Sequence, residues 1–262
     1  MHVTVVMYHY VRPLTSSKYP TLKALDLPLF QEQIGYIKKQ YTVISGYELI
    51  HAVTLGEKLP PKALLLTFDD GYTDHFRYAF PILQKEKLTG CFFPPAKSIL
   101  ERKALDANKI HFFLASQPDT AEIIQHINQE LDTNREKYGL QHFDYYWDKL
   151  TTSNRFDSAD VIYIKRILQH ELPEELRNTI TDQLFRRFVP EHESDFANEL
   201  YMDLEQVAYL LRGLRGAQRM DAAGVVGTGP VRESLAAGSS GVPSIARSTE
   251  KTGPGANAPG PV

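Results

Sequence analysis

The sequence predicts an α/β protein, and three observations carry that reading. Strand-like and helix-like segments alternate through the first hundred residues. The stretch Ala63 to Phe68 is a continuous apolar run of strand length, which suits a strand covered on both faces of a parallel sheet. The strand–helix–strand spacing on either side of it fits βαβ units in a barrel or a doubly wound sheet.

Taken in order, Val3 to Tyr8 reads as a buried strand. Pro28 opens a helix, since its fixed φ suits the first helical turn, and Phe30, Ile34 and Ile37 fall on one face of it. Tyr41 to Ile44 reads as a short strand. Ser45 followed by Glu48 has the spacing of a capping box for a helix through Leu49, Ile50 and Val53. Pro60-Pro61 breaks the chain before the apolar run. After that run comes a helix with Phe76, Phe80 and Leu83 on one stripe, and Pro81 inside it predicts a kink. His75, at the start of this helix, is expected to face solvent. Gly90 to Phe93 is the next strand, closed by Pro94-Pro95.

Residues 105–211 change character. Ile123, Ile124, Ile127 and Leu131 have helical spacing, as do Leu176, Ile180, Leu184 and Phe188. A further stripe runs through Phe196, Leu200, Leu204 and Val207. The region reads as a mostly helical insert. Tyr145, Tyr146 and Trp147 between its helices are expected to be core, because amphipathic helices must bury something, with a sugar-stacking surface as the alternative. From Arg212 to Val262 there is no Phe, Tyr, Trp, His or Cys, and ten of the sixteen glycines lie in that stretch. Such a segment cannot bury enough apolar surface to offset chain entropy, so disorder is expected there. The expected organisation is 1–104, the insert 105–211, and the tail 212–262.

Composition excludes several functions. With a net charge of -3 and no basic run, a nucleic-acid footprint is not expected. The single cysteine, Cys91, excludes an internal disulfide framework and reads as a buried small hydrophobe. No stretch approaches the roughly 18 apolar residues of a membrane span, and the N-terminus carries no basic region or small-residue cleavage site. A cytoplasmic location is the default expectation.

The chemistry sits where the apolar run ends, at Asp69-Asp70-Gly71. Two adjacent carboxylates at the end of a buried strand repel each other and lose solvation, so a cation or a function must offset them. Ligand sites in α/β folds collect at the carboxyl ends of strands. Neighbouring residues point in different directions, so one carboxylate can bind a metal while the other faces its water, which suits metal-assisted hydrolysis. The dipeptide alone also suits a phospho-acceptor pocket or a plain Asp-Gly turn.

The wider string narrows the choice. Leu65-Leu66-Thr67-Phe68-Asp69-Asp70-Gly71-Tyr72 resembles the first motif of the polysaccharide deacetylases, the NodB-homology carbohydrate esterases. Thr89-Gly90-Cys91-Phe92-Phe93-Pro94 is similar to that family's next strand. Met7-Tyr8-His9-Tyr10-Val11 resembles the Y-H-x-V opening of its circularly permuted branch. The resemblance implies a distorted (β/α) barrel of the NodB type, left incomplete here, and N-deacetylation of an amino sugar in a glycan or its lipid-linked precursor. It implies Asp69 as general base, Asp70 as a ligand to a divalent metal such as zinc, and His9 as the general acid; His9 on its own reads as a core histidine at a strand end. The family also supplies a histidine pair spaced H-x-x-x-H. The nine histidines of this chain include no two four residues apart. Weak metal binding and little deacetylase activity are therefore expected, and a non-catalytic carbohydrate-binding relative is the competing reading.

Overall fold

The computed structural model describes residues 2–117, 119–152 and 156–216, all within one compact unit, Met1–Gly227. The expectation of a disordered tail lies almost wholly outside the described residues. Of that stretch, residues 212–216 are described, as the end of a helix that runs to Gly216.

The first third of the chain is α/β. Strand β1 spans Thr4–Tyr8, β2 Val11–Arg12 and β3 Leu25–Asp26. Helix α1 follows at Leu27–Gln40, β4 at Thr42–Ile44, α2 at Gly46–Leu55 and β5 at Ala63–Asp69. A π-helical turn, His75–Ala79, leads into α3, Phe80–Glu86, and then β6, Cys91–Phe93. The remainder is helical: α4 Ala96–Leu100, α5 Asp106–Ser116, α6 Thr120–Tyr138, α7 Phe143–Leu150 and α8 Ala159–Arg166. A second π turn, Ile167–Glu171, precedes α9 Glu174–Phe188, α10 Glu193–Leu200 and α11 Leu204–Gly216.

Strand β5 organises the sheet. It pairs in parallel with β1, with Thr4 opposite Leu64 through Tyr8 opposite Phe68. It also pairs with β4 along Ala63–Leu65 and with β6 along Thr67–Asp69. The sheet is open, and no closed barrel forms among the described residues. The apolar run is buried on both faces, as its composition requires: Leu64, Leu66 and Phe68 pack with Phe30, Ile34 and Leu83, while Ala63 and Leu65 pack with Ile44 and Cys91. Cys91 is buried at 4% exposure, a packed hydrophobe as its apolar setting suggests.

Strand β1 departs from the expectation of a buried strand. Val5 and Met7 are 56% and 59% exposed. The register sets them level with Leu65 and Thr67, but on the edge of the sheet where nothing among the described residues covers that face. Apolar composition alone does not distinguish an edge strand from a central one.

Local sequence signals explain the other elements. Phe30, Ile34 and Ile37 are the buried stripe of α1, and Asp26 caps its start. The Ser45/Glu48 capping box forms in full. Pro81 falls in the first turn of α3, directly after a π turn. It has no N–H to donate to the preceding turn, and the backbone widens into the π turn just before it, where Phe80 N–H reaches back to His75 O. The helical region has its own core, containing Ile110, Phe112, Ile127, Leu131, Tyr163 and Leu184. Tyr146 is in it and Trp147 packs against it, whereas Tyr145 stays 49% exposed. No described helix is long and apolar enough to cross a membrane.

Candidate functional site

Asp69 closes β5, and the chain then turns sharply. Asp70 and Gly71 both take left-handed backbone, with φ of 67° and 61°. Aspartate tolerates this region better than most residues, and glycine adopts it freely. Gly71 is also pressed against the loop after β6, where a Cβ would lie 2.7 Å from Pro94 Cβ and 2.8 Å from its Cα. The Pro94-Pro95 loop and the acidic turn are thus fitted to each other.

The register of β1 on β5 brings the predicted residues together. Tyr8 is opposite Phe68, so His9, the next residue, emerges beside Asp69 at the carboxyl end of the sheet. The two side chains feel each other. Partial burial raises the Asp69 carboxyl above the ordinary carboxylate range, the His9 charge opposes that rise, and the Asp70 charge adds to it. His9 is exposed and both aspartates are half-buried, so all three groups are reached by solvent.

Asp70 has a partner that sequence reading missed. The Tyr72 hydroxyl donates to Asp70 Oδ2 at 2.6 Å. Tyr72 is fully buried, stacks on Tyr10 at 4.3 Å, and is tied by its oxygen to Asn108 Nδ2 at 2.6 Å. Asn108 also donates to the Tyr10 hydroxyl at 2.8 Å and accepts from the Tyr201 hydroxyl. The Leu105 N–H donates to Tyr201 in turn. Desolvation keeps the Tyr10, Tyr72 and Tyr201 phenols protonated, well above their ordinary pKa. A buried polar chain therefore runs from the helical region, through α5, to one candidate carboxylate. Its partners are 36 to 98 residues apart in sequence, so no local pattern announces them. The one hint is a polar residue, Asn108, one helical turn before Phe112 on the buried face of α5.

His75 corrects the sequence expectation. It is not solvent-facing but 0% exposed, on the same side of its helix as buried Ala79 and Leu83. Its Nε2–H donates to the His9 carbonyl at 2.7 Å, which fixes the tautomer, and its Nδ1 has no hydrogen-bond partner among the described residues. The spacing 75, 79, 83 was the available signal. Burial pushes its imidazole down to about 4, against the pull of the His9 carbonyl and the Asp70 charge. The unfolded chain takes up that proton near 6.5. Between those values the unfolded state binds more protons, so stability falls as pH falls through the window, by roughly 3 kcal/mol in all. His111, also lowered to about 4 by burial, acts in the same direction. Urea midpoints at pH 7 and pH 4.5 test this. His75→Gln, which keeps a donor for the carbonyl without titrating, is expected to flatten about half of the drop; an unaltered drop contradicts the assignment.

The residues present do not make a metal centre by themselves. Among the described residues no three His, Cys, Asp or Glu side chains converge. Asp70 offers one carboxylate, already bonded to Tyr72. His75 is turned into the core, and His111 lies against Tyr10, its Nδ1 3.3 Å from that hydroxyl.

Fold and site together define an α/β protein with a carboxylate pair and a histidine at the carboxyl end of a parallel sheet. Residues 56–130 match the family model of polysaccharide deacetylase. It is 29% identical over 96 residues to YxkH of Bacillus subtilis (strain 168), whose name places it among polysaccharide deacetylases. That match covers 36% of this chain and 32% of the relative, so the chain spans about a third of the length of the curated protein it matches. Among solved structures it resembles a de-N-acetylase from Aggregatibacter actinomycetemcomitans at 27% identity, over 37% of this chain and 38% of that one, with a TM-score of 0.33. It also resembles IcaB from Ammonifex degensii at 31% identity, over 38% and 43% of the two chains, with a TM-score of 0.31.

Proposed function

We propose that this chain acts on N-acetylated amino sugars of a glycan, with Asp69 and His9 as its acid–base pair and Asp70 as the carboxylate kept for a divalent metal such as zinc. The observation that supports this best is the parallel register of β1 on β5, which sets His9 beside Asp69. In this reading Asp69 takes a proton from water as the water oxygen bonds to the acetamide carbonyl carbon. His9 then protonates the amide nitrogen as the C–N bond breaks, leaving acetate and the free amine. The glycan is a surface polymer or its lipid-linked precursor.

Members of this family are generally metal-dependent. Since the described residues offer a single engaged carboxylate for the metal, the pair works here without the full positive charge that would stabilise an oxyanion. Slow turnover is expected. A second reading, a glycan-binding relative without turnover, is favoured by the Tyr72 bond to Asp70 and by the absence of an H-x-x-x-H pair in the sequence. Acetate release from N-acetylglucosamine oligomers separates the two. A rate above that of Asp69→Asn supports the hydrolase, and identical rates for both chains leave only the binding reading.

A further inference from the structure

A cavity of about 310 Å³ lies between α5, α8 and the segment that joins β2 to β3. That volume is in the range of small-molecule sites. His111 and Ala115 on α5 are four residues apart, as are Val161 and Lys165 on α8, so each pair shares a helix face, and both faces meet at the cavity. Leu22, Leu114, Ala115 and Val161 give it an apolar wall, with the Tyr10 ring beside them. Its polar groups, Lys23, Lys165, Asp157 and His111, come from three separate parts of the sequence.

The charges lining this cavity do not balance. Lys23 and Lys165 both pair with one carboxylate, Asp157, the second of them at 2.9 Å. Among the described lining residues that leaves one positive charge in excess. The donors are in excess as well. Each ammonium has three protons to give. Lys165 spends one on Asp157, and Lys23 spends two, on Asp157 and the Phe156 carbonyl, so three N–H groups have no acceptor among the described residues. His111 adds a fourth donor. The Tyr10 oxygen already accepts from Asn108 at 2.8 Å, so its own O–H is directed at His111 Nδ1, 3.3 Å away. The imidazole proton then sits on Nε2, which has no partner among the described residues. A cluster of unspent donors with a net positive charge, set against an apolar wall, suits an anion with an apolar body; a neutral or cationic ligand would leave the excess charge uncompensated.

We infer that this cavity binds a small organic monoanion: a carboxylate that accepts from Lys23, Lys165 and His111, carried on an apolar body of about one aromatic ring that packs on Leu22, Leu114 and Val161. The site is independent of the proposed glycan activity and is tested by binding. Calorimetric titration of the full chain with benzoate is expected to saturate at one molecule per chain. Benzamide, of the same shape but neutral, and acetate, which lacks the apolar body, are each expected to bind at least tenfold more weakly. Lys23→Gln is expected to weaken benzoate three- to tenfold. The Lys23 side chain is 59% exposed, so this variant keeps the fold. Ala115→Leu, which fills the cavity, is expected to weaken benzoate at least tenfold, with its thermal midpoint as the check on folding. Asp69→Asn is expected to leave benzoate affinity unchanged. No saturable benzoate binding, benzoate bound no better than benzamide or acetate, or affinity unmoved in Lys23→Gln and Ala115→Leu would overturn the site. Loss of benzoate binding in Asp69→Asn would overturn it too, because the anion would then lie at the candidate site instead.

Discussion

Gly71→Ala is expected to lower the unfolding free energy by about 4 kcal/mol, a large share of the 5–15 kcal/mol that holds most domains. Two costs combine at this position. A side chain in left-handed backbone costs about 1–2 kcal/mol. The new Cβ would also sit 2.7 Å from Pro94 Cβ and 2.8 Å from Pro94 Cα, a contact with backbone that no rotamer change relieves. Gly139→Ala is the control, because Gly139 has φ of 63° and open space around its missing side chain. It carries the backbone cost alone. Urea unfolding of both variants separates the terms; a Gly71→Ala cost no larger than that of Gly139→Ala contradicts the close fit of the acidic turn to the Pro94 loop.

Asn108→Leu is expected to cost about 3 kcal/mol and to disturb the candidate site from a distance. The substitution is close in size but removes three buried hydrogen bonds, to Tyr10, Tyr72 and Tyr201. Each stranded buried polar group costs roughly 1–3 kcal/mol. Tyr10 keeps His111 and Tyr72 keeps Asp70, so the loss stays below the sum of three orphaned groups. Tyr72 would lose its bond to Asn108 and with it part of what aims its hydroxyl at Asp70. Thermal unfolding reports the stability. A structure of the variant reports the Asp70 rotamer, and an undisturbed Tyr72–Asp70 bond would show that Asn108 does not position it.

The sheet was legible in the sequence because its signals are local. Ala63 to Phe68 has the continuous apolar character of a doubly covered strand, and it is one. The stripe Phe30, Ile34, Ile37 and the Ser45/Glu48 box depend on contacts within one or two turns, and both form. The strand-end location of Asp69 followed from the same run. What escaped depends on which distant residues come to rest together. His75 looked like a surface residue because a histidine at a helix start is usually solvated, whereas its face, shared with Ala79 and Leu83, is buried and its ring meets the distant His9 carbonyl. The exposure of Val5 and Met7 is an edge effect, and composition does not record edges. The tyrosine–asparagine chain behind Asp70 joins three separate parts of the sequence, so its members look like unrelated polar residues until they are folded together.

We propose that Asp69 and His9 are an acid–base pair and Asp70 one metal carboxylate, in a chain whose described residues hold no complete set of metal donors. Calorimetric titration of the full chain with zinc tests it most directly. A complete protein donor set binds zinc with about 10 kcal/mol or more. The expected result is weak binding that does not saturate at equimolar zinc and changes little in Asp70→Ala. Tight one-to-one binding that is lost in Asp70→Ala would contradict the claim and show that other side chains join Asp70 to complete the centre.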